Sequence, residues 1–129
     1  MLTQLRQAPD RISRGLKLFS ESNRPRVKFF GLSLIRESFR VYEGINMDEV
    51  TQLRIYFISW LMENINKLCQ VESFLLNNLI SIIVHAIKRE YPEVWPSAFN
   101  DLLLFGKENL TTLNFVIRTL FEIDTEVAS

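Results

Sequence analysis

Apolar residues recur at three- and four-residue steps along almost the whole chain, and clusters of turn-forming residues interrupt that rhythm at five places. The pattern predicts six α-helices and no strand. A first helix is expected from about Leu5 to Phe19, ended by Ser22-Asn23-Arg24-Pro25. A second should run from about Pro25 to Tyr42 and stop at Gly44. Val27, Phe30, Leu34 and Val41 fall on one side of it, and Phe29, Leu32, Ile35 and Phe39 widen the stripe. Asn46 or Asp48 can cap a third helix, about Met47 to Leu68, with Val50, Leu53, Phe57, Trp60, Leu61 and Ile65 as its apolar face.

The fourth helix, about Val71 to Tyr91, is the most apolar of the six, and that breadth implies burial on two sides. Its polar residues are confined to one stripe, Asn77, Ser81, His85 and Lys88 at steps of four, four and three, with Asn78 and Arg89 beside it. Lys88 to Pro96 then reads as helix, corner, helix. Pro92 cannot continue a helix and biases Tyr91 to extended backbone, while Pro96 suits a first helical turn. Trp95, between the two prolines, is expected to wedge between successive helices. A fifth helix is predicted from about Pro96 to Phe105 with Gly106 as a left-handed cap. Asn109 or Thr111 can cap a sixth, reaching about Ile123, with Leu113, Val116, Ile117, Leu120 and Phe121 as its apolar face.

Taken in twos, the helices form pairs at about 5–42, 47–91 and 96–123, and the second members begin near residues 25, 71 and 109. These intervals suit HEAT-type repeats, whose period is roughly 40 to 47 residues. The expected fold is therefore all-α: a single segment, 1–129, forming an α-solenoid of about three antiparallel helix pairs. Neither the first nor the last helix is clearly polar, so the segment reads as a piece of a longer array.

Composition narrows the function classes. With 47% apolar and 23% charged residues, the chain can bury a core. Net charge is zero, yet residues 1–42 carry +6 and residues 43–129 carry −6, so the two ends differ in sign. One cysteine, Cys69, excludes an internal disulfide and fits a half-buried helix end in a reducing compartment. The longest uncharged run, Ser73 to Ile87, is shorter than a membrane span and carries Asn77, Asn78, Ser81 and His85, so no membrane insertion is expected.

Catalytic constellations are not found. His85 is the one histidine, and sixteen residues separate it from Cys69, so neither a histidine metal cluster nor a Cys–His pair is expected. The four glycines are scattered, with no phosphate-cradling loop before a helix. The chain is thus read as a binding protein rather than an enzyme, without metal or cofactor. The aromatic residues, 12% of the chain, fall mostly at helical spacing beside Leu, Ile and Val and are expected to fill a core.

Three stretches resemble one family. Arg26-Val27-Lys28-Phe29-Phe30-Gly31-Leu32-Ser33-Leu34-Ile35-Arg36-Glu37 is similar to an exportin helix in which two aromatics precede Gly/Ala-Leu and then Leu/Ile-x-Glu. Lys88 to Pro96 resembles the acidic, aromatic-Pro-x-x-Trp corner of several exportins, which belong to the importin-β (karyopherin) superfamily. Val116 to Val127, Val-Ile-Arg-Thr-Leu-Phe-Glu-Ile-Asp-Thr-Glu-Val, is similar to the tRNA-exporting branch, exportin-T. Tyr91, where other exportins typically show Trp, points the same way, whereas Lys-Arg-Glu followed by Trp-Pro is closer to the pre-microRNA exportin.

The resemblance implies the amino-terminal part of an exportin, without the usual first helix pair or the carboxy-terminal arch. It implies a nuclear export receptor that binds GTP-bound Ran through second helices, takes tRNA as cargo, contacts Phe-Gly nucleoporins and shuttles between nucleus and cytoplasm. Another exportin cargo, pre-microRNA or protein, and a HEAT scaffold without Ran are the alternatives. Under the resemblance, Phe30, Leu34, Trp95 and Pro96 are scaffold positions, and the Ran- or RNA-facing candidates are Arg36, Arg40, Asn77, Ser81, His85, Lys88 and Arg89.

Overall fold

The computed structural model describes the backbone of residues 7–41 and 46–128 and the side chains of residues 12–39 and 46–124. Leu5, Tyr42 and Gly44, and the side chains of Arg40 and Val41, lie outside the described residues. Among those described, the structure is all-α: α1 (Gln7–Glu21), α2 (Pro25–Val41), α3 (Met47–Glu63), α4 (Ser73–Glu90), α5 (Ala98–Gly106) and α6 (Leu110–Ala128), with a single 3-10 turn at Leu68–Gln70. Successive helices pack as hairpins, α1 on α2, α3 on α4 and α5 on α6, and the second members form one layer in which α4 touches both α2 and α6. This is the α-solenoid arrangement expected of HEAT-type repeats.

The first hairpin is held by two glycines. A Cβ on Gly31 would lie 2.5 Å from the Gly15 carbonyl oxygen and 3.1 Å from the Phe19 nitrogen. Gly15 and Gly31 therefore let the α1 and α2 backbones meet closer than any side chain allows. Phe19, fully buried, then reaches into the second pair, its ring 5.3 Å from that of Phe57 and 5.2 Å from that of Trp60.

The middle helix explains its own composition. α4 buries Leu75, Leu76, Leu79, Ile80, Ile82, Ile83, Val84, Ala86 and Ile87, since α2 and α6 flank it and α3 lies behind it. Each large apolar side chain contributes about 1.5–3 kcal/mol by leaving water, which makes α4 the spine of the core.

Several expected boundaries and faces are corrected. α3 stops at Glu63, not Leu68, because the Asn64 side chain donates to the Trp60 carbonyl at 2.8 Å and takes the chain into turns. Cys69 is exposed in the 3-10 turn. α5 begins at Ala98 rather than Pro96, since Ser97 and Trp95 both donate to the Asp101 carboxylate across that first turn, at 3.0 and 2.8 Å. Gly106 is not a left-handed cap: no glycine described has positive φ. It is the last, buried residue of α5, where a Cβ would press on Val116 Cγ2 at 3.2 Å.

On α2 the buried line is Gly31, Leu32, Ile35, Ser38 and Phe39, while Phe30 is 58% exposed and Leu34 half-buried. The wide apolar stripe meets α1 and α4 on only part of its circumference. α6, which continues beyond Ile123 to Ala128, departs further. It buries Thr112, Phe115, Val116 and Thr119, and Leu113, Ile117, Leu120 and Phe121 are exposed, Phe121 at 68%. Among the described residues it packs mainly on α4 and α5, and polar Thr119 faces inward with its hydroxyl donating to the Phe115 carbonyl at 2.8 Å.

Candidate interaction face

The Lys88–Pro96 corner is built around Glu90. Its carboxylate is fully buried, accepts from Arg54 Nε at 2.8 Å and from the Thr51 hydroxyl, and so ties α4 to α3. Its carbonyl accepts from the Val94 and Trp95 amides at 2.8 and 2.9 Å, which closes the corner on itself. Trp95, 4% exposed, lies under the Arg54 guanidinium at 4.7 Å and donates to Asp101 of α5. It is the wedge between the second and third pairs that its position predicted. Tyr91 is extended, as Pro92 requires, and its ring meets that of Phe99 edge-on at 4.9 Å; Pro96 is exposed.

Three of the seven candidate contact residues, Arg36, Asn77 and Ser81, come together on the open face of the α2–α4–α6 layer. Arg36 of α2, Asn77, Ile80 and Ser81 of α4, and Arg118 and Glu122 of α6 line a groove of about 310 Å³. Arg36 is held there from below. Asn78, 2% exposed, accepts from the Arg36 guanidinium at 2.5 Å and donates to the Ser33 hydroxyl at 3.4 Å. The helix-to-helix spacing of the stack thus brings together Arg36, Asn77 and Ser81, which are up to 45 residues apart in sequence.

Two further candidates, His85 and Arg89, form a second group between α2 and α4. The His85 ring stacks on Phe39, 5.3 Å apart and nearly parallel. Arg89 lies over the Phe39 ring at 4.9 Å and donates to the Phe39 carbonyl at 3.2 Å, so burial holds its pKa below the usual arginine value. Both side chains join α2 to α4. Lys88 is exposed. Arg40 lies outside the described side chains.

Arg118 and Glu122 were not singled out from sequence. Their signal was available: four residues apart on α6, they fall on the edge nearest α4 rather than on the apolar side of the helix. At the other end of the face the Phe29 and Phe74 rings meet at right angles, 5.4 Å apart and each 40% exposed, an apolar shelf contributed by α2 and α4.

No cluster of His, Cys, Asp or Glu suited to a metal ion occurs among the described residues, and none of the described helices is long and apolar enough to cross a membrane. The family model described as Exportin 1-like protein matches residues 72–129, which covers α4, the Glu90 corner, α5 and α6. Its sequence is exportin-like. Among individual relatives, exportin-1 of Drosophila melanogaster is 26% identical over 122 residues, 91% of this chain and 12% of that protein. Exportin-T of Dictyostelium discoideum is 30% identical over 105 residues, 80% of this chain and 10% of that protein. Exportin-5 of Homo sapiens is 25% identical over 117 residues, 89% of this chain and 10% of that protein. The exportin-like chain therefore spans about an eighth of the length of the first of these relatives. Exportins of three kinds match at comparable identity, so the comparisons do not single out exportin-T. No solved structure matches.

Proposed function

We propose that the chain is a segment of a nuclear export receptor that engages GTP-bound Ran through the α2–α4–α6 face, with tRNA as the cargo of the complete receptor. The observation that carries this reading is a coincidence of place. The exportin-like match covers α4 to α6, and these helices supply Asn77, Ser81, Arg118 and Glu122 to the groove completed by Arg36. The tRNA assignment rests on the likeness of Val116 to Val127 to exportin-T, which is one of the three kinds of exportin among the matches. A receptor of this kind works by linked binding, since Ran-GTP and cargo stabilise the same closed solenoid and each raises affinity for the other. Weak contacts with Phe-Gly nucleoporins and shuttling between nucleus and cytoplasm complete the proposal, which contains no catalytic step.

Retention of the purified chain on beads carrying Ran loaded with GTP or GDP, with labelled tRNA and a pre-microRNA hairpin added in turn, tests it. Binding that depends on GTP supports a transport receptor. GTP-independent binding, or none, would favour a HEAT scaffold without Ran. A hairpin retained in preference to tRNA would move the cargo to the pre-microRNA class.

A further inference from the structure

We infer that the groove between Arg36 and Arg118 binds an acidic side chain of a protein partner, next to an apolar residue of the same partner lying on the Phe29–Phe74 shelf. The inference rests on the reading of the α2–α4–α6 face as an interaction surface, and it specifies the chemistry recognised there. Four observations converge. The Arg36 guanidinium is fixed by Asn78, which is almost fully buried, so little freedom is lost when it pairs with a carboxylate. Arg118 faces the same groove from α6 and has no hydrogen bond or ion pair with another described residue, leaving its full donor set for a ligand. Asn77 and Ser81 stand between the two arginines and offer donors and acceptors suited to a peptide backbone.

The fourth observation is the shelf. Phe74 and Ser81 are seven residues apart on α4, or about 10 Å along the helix axis. A partner segment bearing a carboxylate and an apolar side chain at that separation meets both features at once. Glu122, at the rim of the groove, separates this ligand from a nucleic-acid backbone. A run of phosphates calls for several unopposed cations, whereas this groove holds two arginines and one carboxylate. A peptide matches that mixture, because its amide N–H groups can donate to Glu122 while its carboxylate accepts from the arginines.

Fluorescence anisotropy tests the inference, using a labelled peptide that carries Leu and Glu about 10 Å apart and a second peptide with Gln in place of each Glu. The expected result is saturable binding of the Glu peptide and weaker binding of the Gln peptide. Affinity should fall about tenfold in Arg118→Glu and in Arg36→Glu, the loss of one charge-assisted contact. Phe74→Ala should weaken both peptides. Arg118 is exposed, so its variant retains the fold, and circular dichroism checks Arg36→Glu. Equal binding of the two peptides, binding unaffected by Arg118→Glu, or no binding of the Glu peptide would overturn the inference, as would displacement of that peptide by tRNA at lower concentration than by unlabelled peptide. Retention on Ran-GTP is a separate readout. If the Glu peptide binds and Ran-GTP does not, the transport reading fails while the groove's chemistry stands.

Discussion

Arg54 Nε of α3 lies 2.8 Å from Oε1 of Glu90, whose carboxylate is wholly out of water at the end of α4. The Thr51 hydroxyl donates to the second oxygen, and the Arg54 guanidinium covers the indole of Trp95. One ion pair therefore fixes the end of α4, the corner after it and the start of the third helix pair. Taking a carboxylate out of water costs several kcal/mol, and only a complete set of partners offsets it.

Glu90→Gln should accordingly destabilise the chain by about 3–5 kcal/mol, because it leaves the largely buried Arg54 without its counter-charge. Urea unfolding followed by circular dichroism gives the value. The double variant Arg54→Met/Glu90→Leu is expected to recover at least half of that loss, since an apolar pair of similar volume needs no compensation. A single variant within about 0.5 kcal/mol of wild type, the range of ordinary surface changes, would show that the pair does not hold the corner.

Gly31 separates packing from helix propensity. In an open helix, alanine is about 0.5–1 kcal/mol better than glycine. At Gly31 a Cβ would collide with the Gly15 carbonyl, which is rigid backbone, so Gly31→Ala should instead cost about 1–3 kcal/mol by forcing α1 from α2. The sign of the change in urea midpoint decides between the two, and a gain in stability would mean that the hairpin opens without cost.

Asn109 serves two elements with one side chain. Its Oδ1 accepts from the Thr112 amide at 2.9 Å and caps α6, while its Nδ2 donates to the Ile65 carbonyl at 3.0 Å and fastens the turn after α3. Asn109→Asp keeps the cap and loses the tether, whereas Asn109→Ala loses both. The cap alone is worth about 1 kcal/mol, so the alanine variant should be the less stable of the two in thermal melts by roughly that amount. Equal melting temperatures would assign the whole effect to the tether.

What was legible in the sequence was whatever depended on one helix at a time. The breadth of α4, a cap at Asn46 or Asp48, the corner at Pro92 and the wedge at Trp95 all follow from local pattern, and the structure has them, with the cap at Asn46. What depends on a neighbour was not legible. Phe30, Leu113 and Ile117 sit at helical spacing like core residues, yet they are exposed. Glu90 looked like one more charge in Lys-Arg-Glu because its partner Arg54 is 36 residues earlier. The groove shows both cases: α4 periodicity aligned Asn77 and Ser81, but Arg118 joined them only through the packing of α6 on α4.

Two groups around Phe19 give stability a two-signed dependence on alkaline pH. Burial, with a smaller contribution from Glu63, raises the Tyr56 phenol above its ordinary pKa of 10.0, against a hydrogen bond with Ser20 that lowers it. Burial lowers Lys28, whose ammonium donates to the Phe19 carbonyl at 2.6 Å, below its ordinary 10.5. Tyr56 thus contributes stability that is complete below pH 10 and is lost as pH rises through its folded pKa. Lys28 acts oppositely: the folded chain sheds that proton first, so stability grows with pH between its folded pKa and 10.5. Urea midpoints measured from pH 8 to 11.5 should therefore fall less steeply in Tyr56→Phe than in wild type, and more steeply in Lys28→Met. Absorbance at 295 nm should show one tyrosine ionising late in the folded chain, absent from Tyr56→Phe. Parallel midpoint curves for all three proteins would mean that neither group is linked to folding.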